Sequence, residues 1–237
     1  MSEISRLTDS LSQELQGSLP GIGLRWYPVG EALQGLFLEE EPALRPLPAE
    51  RVEAVMDAPP FWSLLWPSGE FLCRLIGKER ALVDQRSVLD FGSGCGLVAS
   101  AASLAGAGPV YAVDSDPLAA QATRLHALVG GATVEVVEHW DFRPVDLFLA
   151  ADFLYDTTHL DLFARLADQA EEVMVVDSRL RELKLPGFAP LGSAPGRAVP
   201  DLEKRSPTRE FGVLSLWYRG PREQLWRVAT QALLREG

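Results

Sequence analysis

The segment Val88-Leu89-Asp90-Phe91-Gly92-Ser93-Gly94-Cys95-Gly96 concentrates residues that could do chemistry. A short apolar run enters a glycine-rich turn, and a helical pattern follows. Glycine permits positive φ and close approach of a ligand to the backbone. A helix N-terminus adds N–H donors and partial positive charge. Two cofactor classes use such a turn, dinucleotides and S-adenosylmethionine. The acid discriminates between them. A carboxylate at Asp90, two residues before the first glycine, would oppose a pyrophosphate but suits an α-ammonium group, and a charge-assisted hydrogen bond contributes roughly 1.5–3 kcal/mol. The G-x-G-x-G spacing also fits S-adenosylmethionine better than the dinucleotide spacing G-x-G-x-x-G.

A second acid, Asp114, ends the next apolar run (VYAVD). An acid about 20 residues beyond such a turn bonds ribose hydroxyls, so Asp114 is assigned that role. Asp116 is the alternative, although Pro117 after it marks Asp116 as a helix N-cap. In the third strand-to-turn segment, VEVVEHWDF, Trp140 is placed to pack on an adenine ring or to plug the domain edge. His139 or Asp141 would bond the base. His126 is read as a helix-surface residue and Cys95 as a small filler. Trp26, Trp217 and Trp226 are read as core or edge packing.

The elements that must position these groups follow from periodicity. Short apolar runs at 87–91, 109–113, 133–138, 145–151 and 172–177 alternate with helical patterns at 97–106, 117–129 and 158–169. This is the βαβ rhythm of a parallel sheet covered on both faces. The runs hardly alternate in polarity, as expected of strands buried on both sides. Ahead of them lie an amphipathic helix at 2–17, strand-like pieces at 23–27 and 35–39, and helical stretches at 49–57 and within 61–77. Residues 186–210 hold five prolines and three glycines and read as loop and turn. A late strand at 211–218 and a helix at 221–235 complete the chain.

The 237 residues suffice for one sizeable core. Net charge is −11, with no basic stripe to neutralise phosphates, so nucleic acid is not expected as a partner. An acidic chain attracts a basic small molecule or a lysine-bearing protein. No apolar run approaches a membrane span, and the polar N-terminus lacks a signal peptide's apolar stretch, so no membrane association and a cytoplasmic location are expected. Two cysteines provide neither a disulfide framework nor a zinc cluster, and no metal is expected.

Three stretches together carry a family resemblance: Pro60-Phe61-Trp62 through Trp66-Pro67-Ser68-Gly69, VLDFGSGCG with VDSDP, and Ala151-Asp152-Phe153-Leu154-Tyr155-Asp156. They resemble the class I, seven-β-strand, S-adenosylmethionine-dependent methyltransferases. More narrowly, they resemble the lysine methyltransferases acting on the electron transfer flavoprotein β subunit and related protein lysine methyltransferases. The resemblance covers roughly residues 58–180. It implies an α/β, Rossmann-like, doubly wound sheet in the order 3-2-1-4-5-7-6, with strand seven antiparallel. It also implies that Asp152 and Tyr155 face the transferable methyl, and that Trp66 and Gly69 lie near the methionine end of the cofactor. The chain is accordingly read as an extension, 1–57, packed on a methyltransferase domain, 58–237. The candidate cofactor-binding residues are Trp66, Gly69, Asp90, Gly92, Ser93, Gly94, Gly96, Asp114, Ser115, His139 and Trp140; the candidate catalytic residues are Asp152 and Tyr155. The slot after the fourth strand reads Asp-Phe-Leu-Tyr, without the Asn/Asp-Pro-Pro-Tyr/Phe of enzymes that methylate adenine or glutamine amides. An sp³ amine is therefore favoured: a protein lysine, or alternatively a small-molecule amine. A nicotinamide-dependent oxidoreductase and a cofactor-binding module without catalysis are the competing readings.

Overall fold

The structure, a computed structural model, describes residues 2–44, 49–154, 157–179, 185–204 and 210–235. The chain opens with helix α1 (Glu3–Ser18), whose N-cap Ser2 accepts from Ser5 N–H at 3.1 Å. Strands β1 (Leu24–Val29) and β2 (Leu33–Leu38) form a separate antiparallel hairpin. Short helices α2 (Glu40–Ala43) and α3 (Ala49–Asp57) follow. Helix α4 (Pro67–Lys78) starts on Pro67, where the missing N–H costs nothing.

The main sheet is then laid down by β3 (Val88–Phe91), α5 (Leu97–Leu104), β4 (Val110–Val113), α6 (Pro117–Gly130), β5 (Glu135–Val137), β6 (Val145–Ala151), α7 (Leu160–Ala167) and β7 (Ala170–Asp177). The strands β8 (Ala189–Pro195) and β9 (Val213–Arg219) and the helix α8 (Glu223–Leu234) complete it. The seven strands lie in the order β5-β4-β3-β6-β7-β9-β8. Counted within the sheet, this is 3-2-1-4-5-7-6. Strands β3 to β7 pair in parallel, and β9 runs antiparallel to both of its neighbours.

Strand β8 corrects the reading of 186–210 as loop alone. It is an edge strand, which tolerates Pro190 and Pro195 because one side needs no ladder donor, and its register shifts between Pro190 and Gly192. Helix α6 forms as its sequence suggests: Asp116 Oδ1 accepts from Leu118 N–H at 2.8 Å, and Gly131 ends the helix at φ +70°.

Side chains of β6 and β7 alternate between two apolar layers. Leu147, Leu149, Met174 and Val176 pack with α4, α5 and α8. Phe148, Ala150, Val173 and Val175 pack with Phe163 and Leu166 of α7. Each fully buried side chain of this kind stabilises the fold by roughly 1.5–3 kcal/mol. A third layer joins Leu11 and Leu15 of α1 to Ala119, Ala122 and Leu125 of α6 and to Trp62. Near the start of β7, the fully buried Glu172 carboxylate accepts from Tyr218 Oη at 2.8 Å and Arg222 Nε at 2.6 Å. Trp217 and Trp226 are buried, as read from the sequence, and Tyr218 is buried beside them.

Candidate active site

The C-terminal ends of β3, β4, β5 and β6 open on a cavity of about 1030 Å³. This is where ligands bind in open α/β sheets. Trp66, Gly92, Gly94, Asp114, Ser115, His139, Trp140 and Asp152 all line it. Gly69, Asp90, Ser93 and Gly96 stand outside that lining. Tyr155 lies outside the described residues.

The glycine turn is braced from inside. Gly92 and Ser93 both donate their N–H to Val113 C=O, at 2.8 and 3.0 Å, and Gly96 N–H bonds Ser93 C=O at 2.7 Å. Gly94 N–H donates to Asp114 Oδ2 at 2.8 Å. The donors expected to be free at the mouth of the turn are therefore engaged at these four positions, three by acceptors at the end of β4 (Val113 C=O and Asp114) and Gly96 by Ser93 within the turn. Gly92, Gly94 and Gly96 have φ of +74°, +53° and +73°, which only glycine adopts without penalty. A Cβ on Gly94 would meet nothing within 4 Å, whereas one on Gly96 would sit 2.3 Å from Thr123 Oγ1. Gly94 thus keeps a ligand face clear, and Gly96 lets α6 press on the turn.

Asp90 is set behind this wall. Its carboxylate is 1% exposed, and Oδ2 accepts from Ala99 N–H in the first turn of α5 at 3.0 Å. Burial pushes its pKa up to about 7, opposed by the Ala99 N–H and reinforced by the Asp114 charge. The sequence placed this acid at the strand tip. The structure adds that its side chain turns toward the helix start.

Asp114 is held at the cavity by two backbone donors, Gly94 N–H on Oδ2 and Asp116 N–H at 3.0 Å on Oδ1. A carboxylate has about four lone-pair sites, so each oxygen can accept a further donor. Beyond it, His139 is exposed. The Trp140 ring is buried against Tyr111, with centroids 5.2 Å apart, and Arg143 stacks over both. Among the described residues, Trp140 Nε1 has no hydrogen-bond partner. Asp141 pairs with Arg143 at 2.8 Å.

At the other end Asp152 follows β6 at φ +49°. Such a conformation costs about 1–3 kcal/mol and persists where its surroundings enforce it. Three bonds enforce it here. Asp152 N–H donates to Val176 C=O at 3.0 Å. Its Oδ2 accepts from Ser68 N–H at 3.1 Å and its Oδ1 from Ser178 N–H at 2.7 Å. Ser68 lies in the first turn of α4, whose N-terminal dipole favours an anion. The Trp-Pro-Ser-Gly stretch and the Asp-x-x-Tyr stretch, 84 residues apart between Ser68 and Asp152, therefore meet at one carboxylate. Gly69 serves this junction: a Cβ there would come within 2.9 Å of Leu65 Cδ1.

Sequence reasoning missed several residues that line the cavity together with Asp152. Arg179 lines the cavity, with its guanidinium 4.8 Å from the Trp66 ring centre and 5.0 Å from that of Phe211. His159 stacks on Phe153 at 5.2 Å. Phe142, at φ +56°, forms part of the wall under Arg165. Glu14 of α1 reaches the rim. No local motif marks these residues; only the topology gathers them. His126 corrects another reading, since it is 1% exposed and buried beneath the hairpin. Cys95 is buried, and burial pushes its thiol up to about 12, consistent with an inert filler.

Parts of the chain are similar to known proteins. Residues 73–148 match the family model for ribosomal protein L11 methyltransferase (PrmA). The chain is 34% identical over 112 residues to the electron transfer flavoprotein beta subunit lysine methyltransferase of Mus musculus, covering 45% of this chain and 44% of that protein. It is 33% identical over 163 residues to the Xenopus laevis protein of the same name, covering 65% of this chain and 61% of that one. The chain thus spans less than half the length of the mouse relative. A solved ribosomal protein L11 methylase from Lactobacillus delbrueckii subsp. bulgaricus superposes with a TM-score of 0.46 at 20% identity, covering 65% of this chain and 79% of that one. Residues 73–148, which carry the glycine turn with β3 and β4, are thus the part of the chain similar to the PrmA methyltransferase model.

Proposed function

We propose that the chain is an S-adenosylmethionine-dependent methyltransferase that N-methylates lysine side chains of a protein. One observation carries the reading: Asp152, held in a left-handed conformation by backbone donors from α4 and from Ser178 just after β7, shares a single cavity with Asp114 and the glycine turn. The relatives' names support the substrate class.

The residues fit the cofactor. Gly94 leaves open space where a side chain would stand. Asp114 has acceptor capacity for ribose hydroxyls, and Trp140 presents an indole ring at the position expected for a base. Asp90 acts from behind the turn, by fixing Ala99 N–H and contributing its charge when ionised. When bound, the cofactor supplies a methyl group on a cationic sulfur, already activated toward a neutral amine.

The chain's own task is to present that amine. A lysine has a pKa of about 10.4, so roughly one molecule in a thousand is neutral at pH 7, a cost of about 4 kcal/mol. Asp152 binds and aims the amine, and both of its oxygens keep their orientation because each is tied to a backbone N–H. The apolar surroundings, Phe153 and Trp66 among them, favour proton loss to water by disfavouring the ammonium form. Trp66 is assigned to the methionine end of the cofactor, and Tyr155, on the family resemblance, to walling the amine channel or hydrogen-bonding there.

The acidic rim suits a cationic protein. Exposed Glu14, Asp57 and Glu138 line the cavity's approaches. Nucleic acid is not part of this proposal, and a cytoplasmic location is. Among the described residues, no helix is long and apolar enough to cross a membrane. The division into 1–57 and 58–237 is retained as a proposal, supported by the apolar seam between α1 and α6. The test is methyl transfer from labelled S-adenosylmethionine to purified electron transfer flavoprotein β subunit and to a cell extract, with the labelled residue identified. Label on lysine supports the reading. Label confined to RNA or to small amines contradicts the protein-lysine assignment, and binding of NAD without S-adenosylhomocysteine contradicts the reaction class.

A further inference from the structure

Among the described residues the hairpin β1–β2 pairs with no strand of the main sheet, yet two bonds in series connect it to the glycine turn. Leu36 N–H, on the outer side of β2, donates to His126 Nε2 at 2.8 Å. The other ring nitrogen, Nδ1, lies 2.7 Å from Cys95 C=O in the glycine turn. A backbone N–H can only donate and a carbonyl can only accept. The ring is therefore a neutral imidazole with its proton on Nδ1, and both nitrogens are in use. Burial holds its pKa down near 4, which preserves this donor–acceptor pattern at neutral pH. Trp26 and Phe37 of the hairpin pack edge-on against the ring, with centroids 6.0 and 5.6 Å away.

A second contact from the same helix reinforces the first. Thr123, one turn before His126 on α6, occupies the space that a side chain at Gly96 would need. The turn is thus gripped at Cys95 and at Gly96 from α6, while Asp90 takes Ala99 N–H from below.

Resting on the proposed cofactor reading, we propose that His126 is a positioning residue for cofactor binding: it fixes the Cys95 carbonyl, and with it the Gly94–Gly96 backbone, against the N-terminal hairpin. The hairpin would then be part of the cofactor site's support, although it supplies none of the glycine turn itself. Its role is distinct from that of Asp114, which holds Gly94 from the cavity side.

The test compares the full chain with His126→Phe, which keeps a ring but removes both hydrogen-bonding nitrogens, and with His126→Gln, whose amide restores a donor and an acceptor. S-adenosylhomocysteine affinity is measured by calorimetry, and amide exchange is followed at residues 92–96. The expected result is an affinity about 10-fold weaker in the Phe variant, with faster exchange at 92–96, and recovery to within about 3-fold in the Gln variant. An affinity within about 2-fold of wild type in a folded Phe variant overturns the proposal, whatever the loss of thermal stability. Should the Phe variant fail to fold, the wild-type imidazole decides. A shift of its Nδ1–H resonance on adding S-adenosylhomocysteine supports the proposal, and an unmoved resonance overturns it. Wild-type protein that binds no S-adenosylhomocysteine overturns the cofactor reading and this inference together, whereas normal binding in all variants overturns this inference alone.

Discussion

Two cavities invite comparison. The larger, about 1030 Å³, lies at the C-terminal ends of the parallel strands. The smaller, about 560 Å³, lies between the tip of the hairpin and the ends of α4, α5 and α8. The smaller one contains cations, but those with visible partners serve the scaffold. Arg80 donates to Ala105 C=O and Leu104 C=O at 3.2 and 3.1 Å, closing the C-terminus of α5, and Arg74 faces Glu70 at 3.7 Å. The larger cavity contains carboxylates with acceptor capacity remaining, and, among the described residues, two of the three non-glycine residues with positive φ, Phe142 and Asp152. The third, Gln85, lines neither cavity. Backbone strain is retained where surrounding bonds enforce it, and an enforced carboxylate facing open space is the mark of a site. An opening alone is not.

That contrast can be broken most severely at Asp152. Asp152→Asn should lower methyl transfer by about 100-fold or more through misplacement of the amine, while S-adenosylhomocysteine affinity stays within about 3-fold; single-turnover rates and calorimetry separate the two. Asp114→Ala removes a charged acceptor and the Gly94 bond together. Calorimetry should show cofactor affinity weakened roughly 10- to 100-fold, the span of a lost charge-assisted bond.

Asp90 gives a pH-dependent test. Its folded pKa of about 7 lies above the ordinary 3.8, so the native state holds more protons than the unfolded state between those values. The contribution of Asp90 to stability is then present below about pH 4 and declines as pH rises to 7, by up to roughly 4 kcal/mol. His126 acts in the opposite sense. Its folded pKa of about 4 lies below 6.5, so its contribution is lost as pH falls through that window. Urea titrations at pH 5 and 7 should show Asp90→Asn gaining stability relative to wild type at the higher pH. No change in that difference would contradict an ionisable carboxylate enclosed behind the turn. The smallest effect belongs to the smaller cavity. Gly77 lies within α4 with open space where a Cβ would stand, so Gly77→Ala should raise stability by about 1 kcal/mol and leave cofactor affinity unchanged.

The same contrast explains what could be read from the sequence. The parallel strands are continuous apolar runs because both of their faces are buried. The glycine turn announces itself because three of its residues require positive φ. Asp114 follows at the spacing of a strand–helix–strand unit. Strand β8 escaped notice because its prolines and glycines are those of a loop, and only an edge position beside β9 makes them tolerable in a strand. His126 escaped because helix periodicity cannot reveal that a hairpin far earlier in the chain lies over that face. The side-chain direction of Asp90, the convergence of Arg179, Trp66 and Phe211, and the Ser68–Asp152 bond all depend on long-range packing. No local pattern encodes them.

The central claim is that the larger cavity, not the smaller, receives the cofactor. Hydrogen-exchange mass spectrometry of the full chain with and without S-adenosylhomocysteine tests it directly. The account predicts slowed exchange at residues 91–96, 113–116 and 138–142, with no change at 29–33 and 73–80. Protection confined to 29–33 and 73–80, or no protection anywhere, would contradict it.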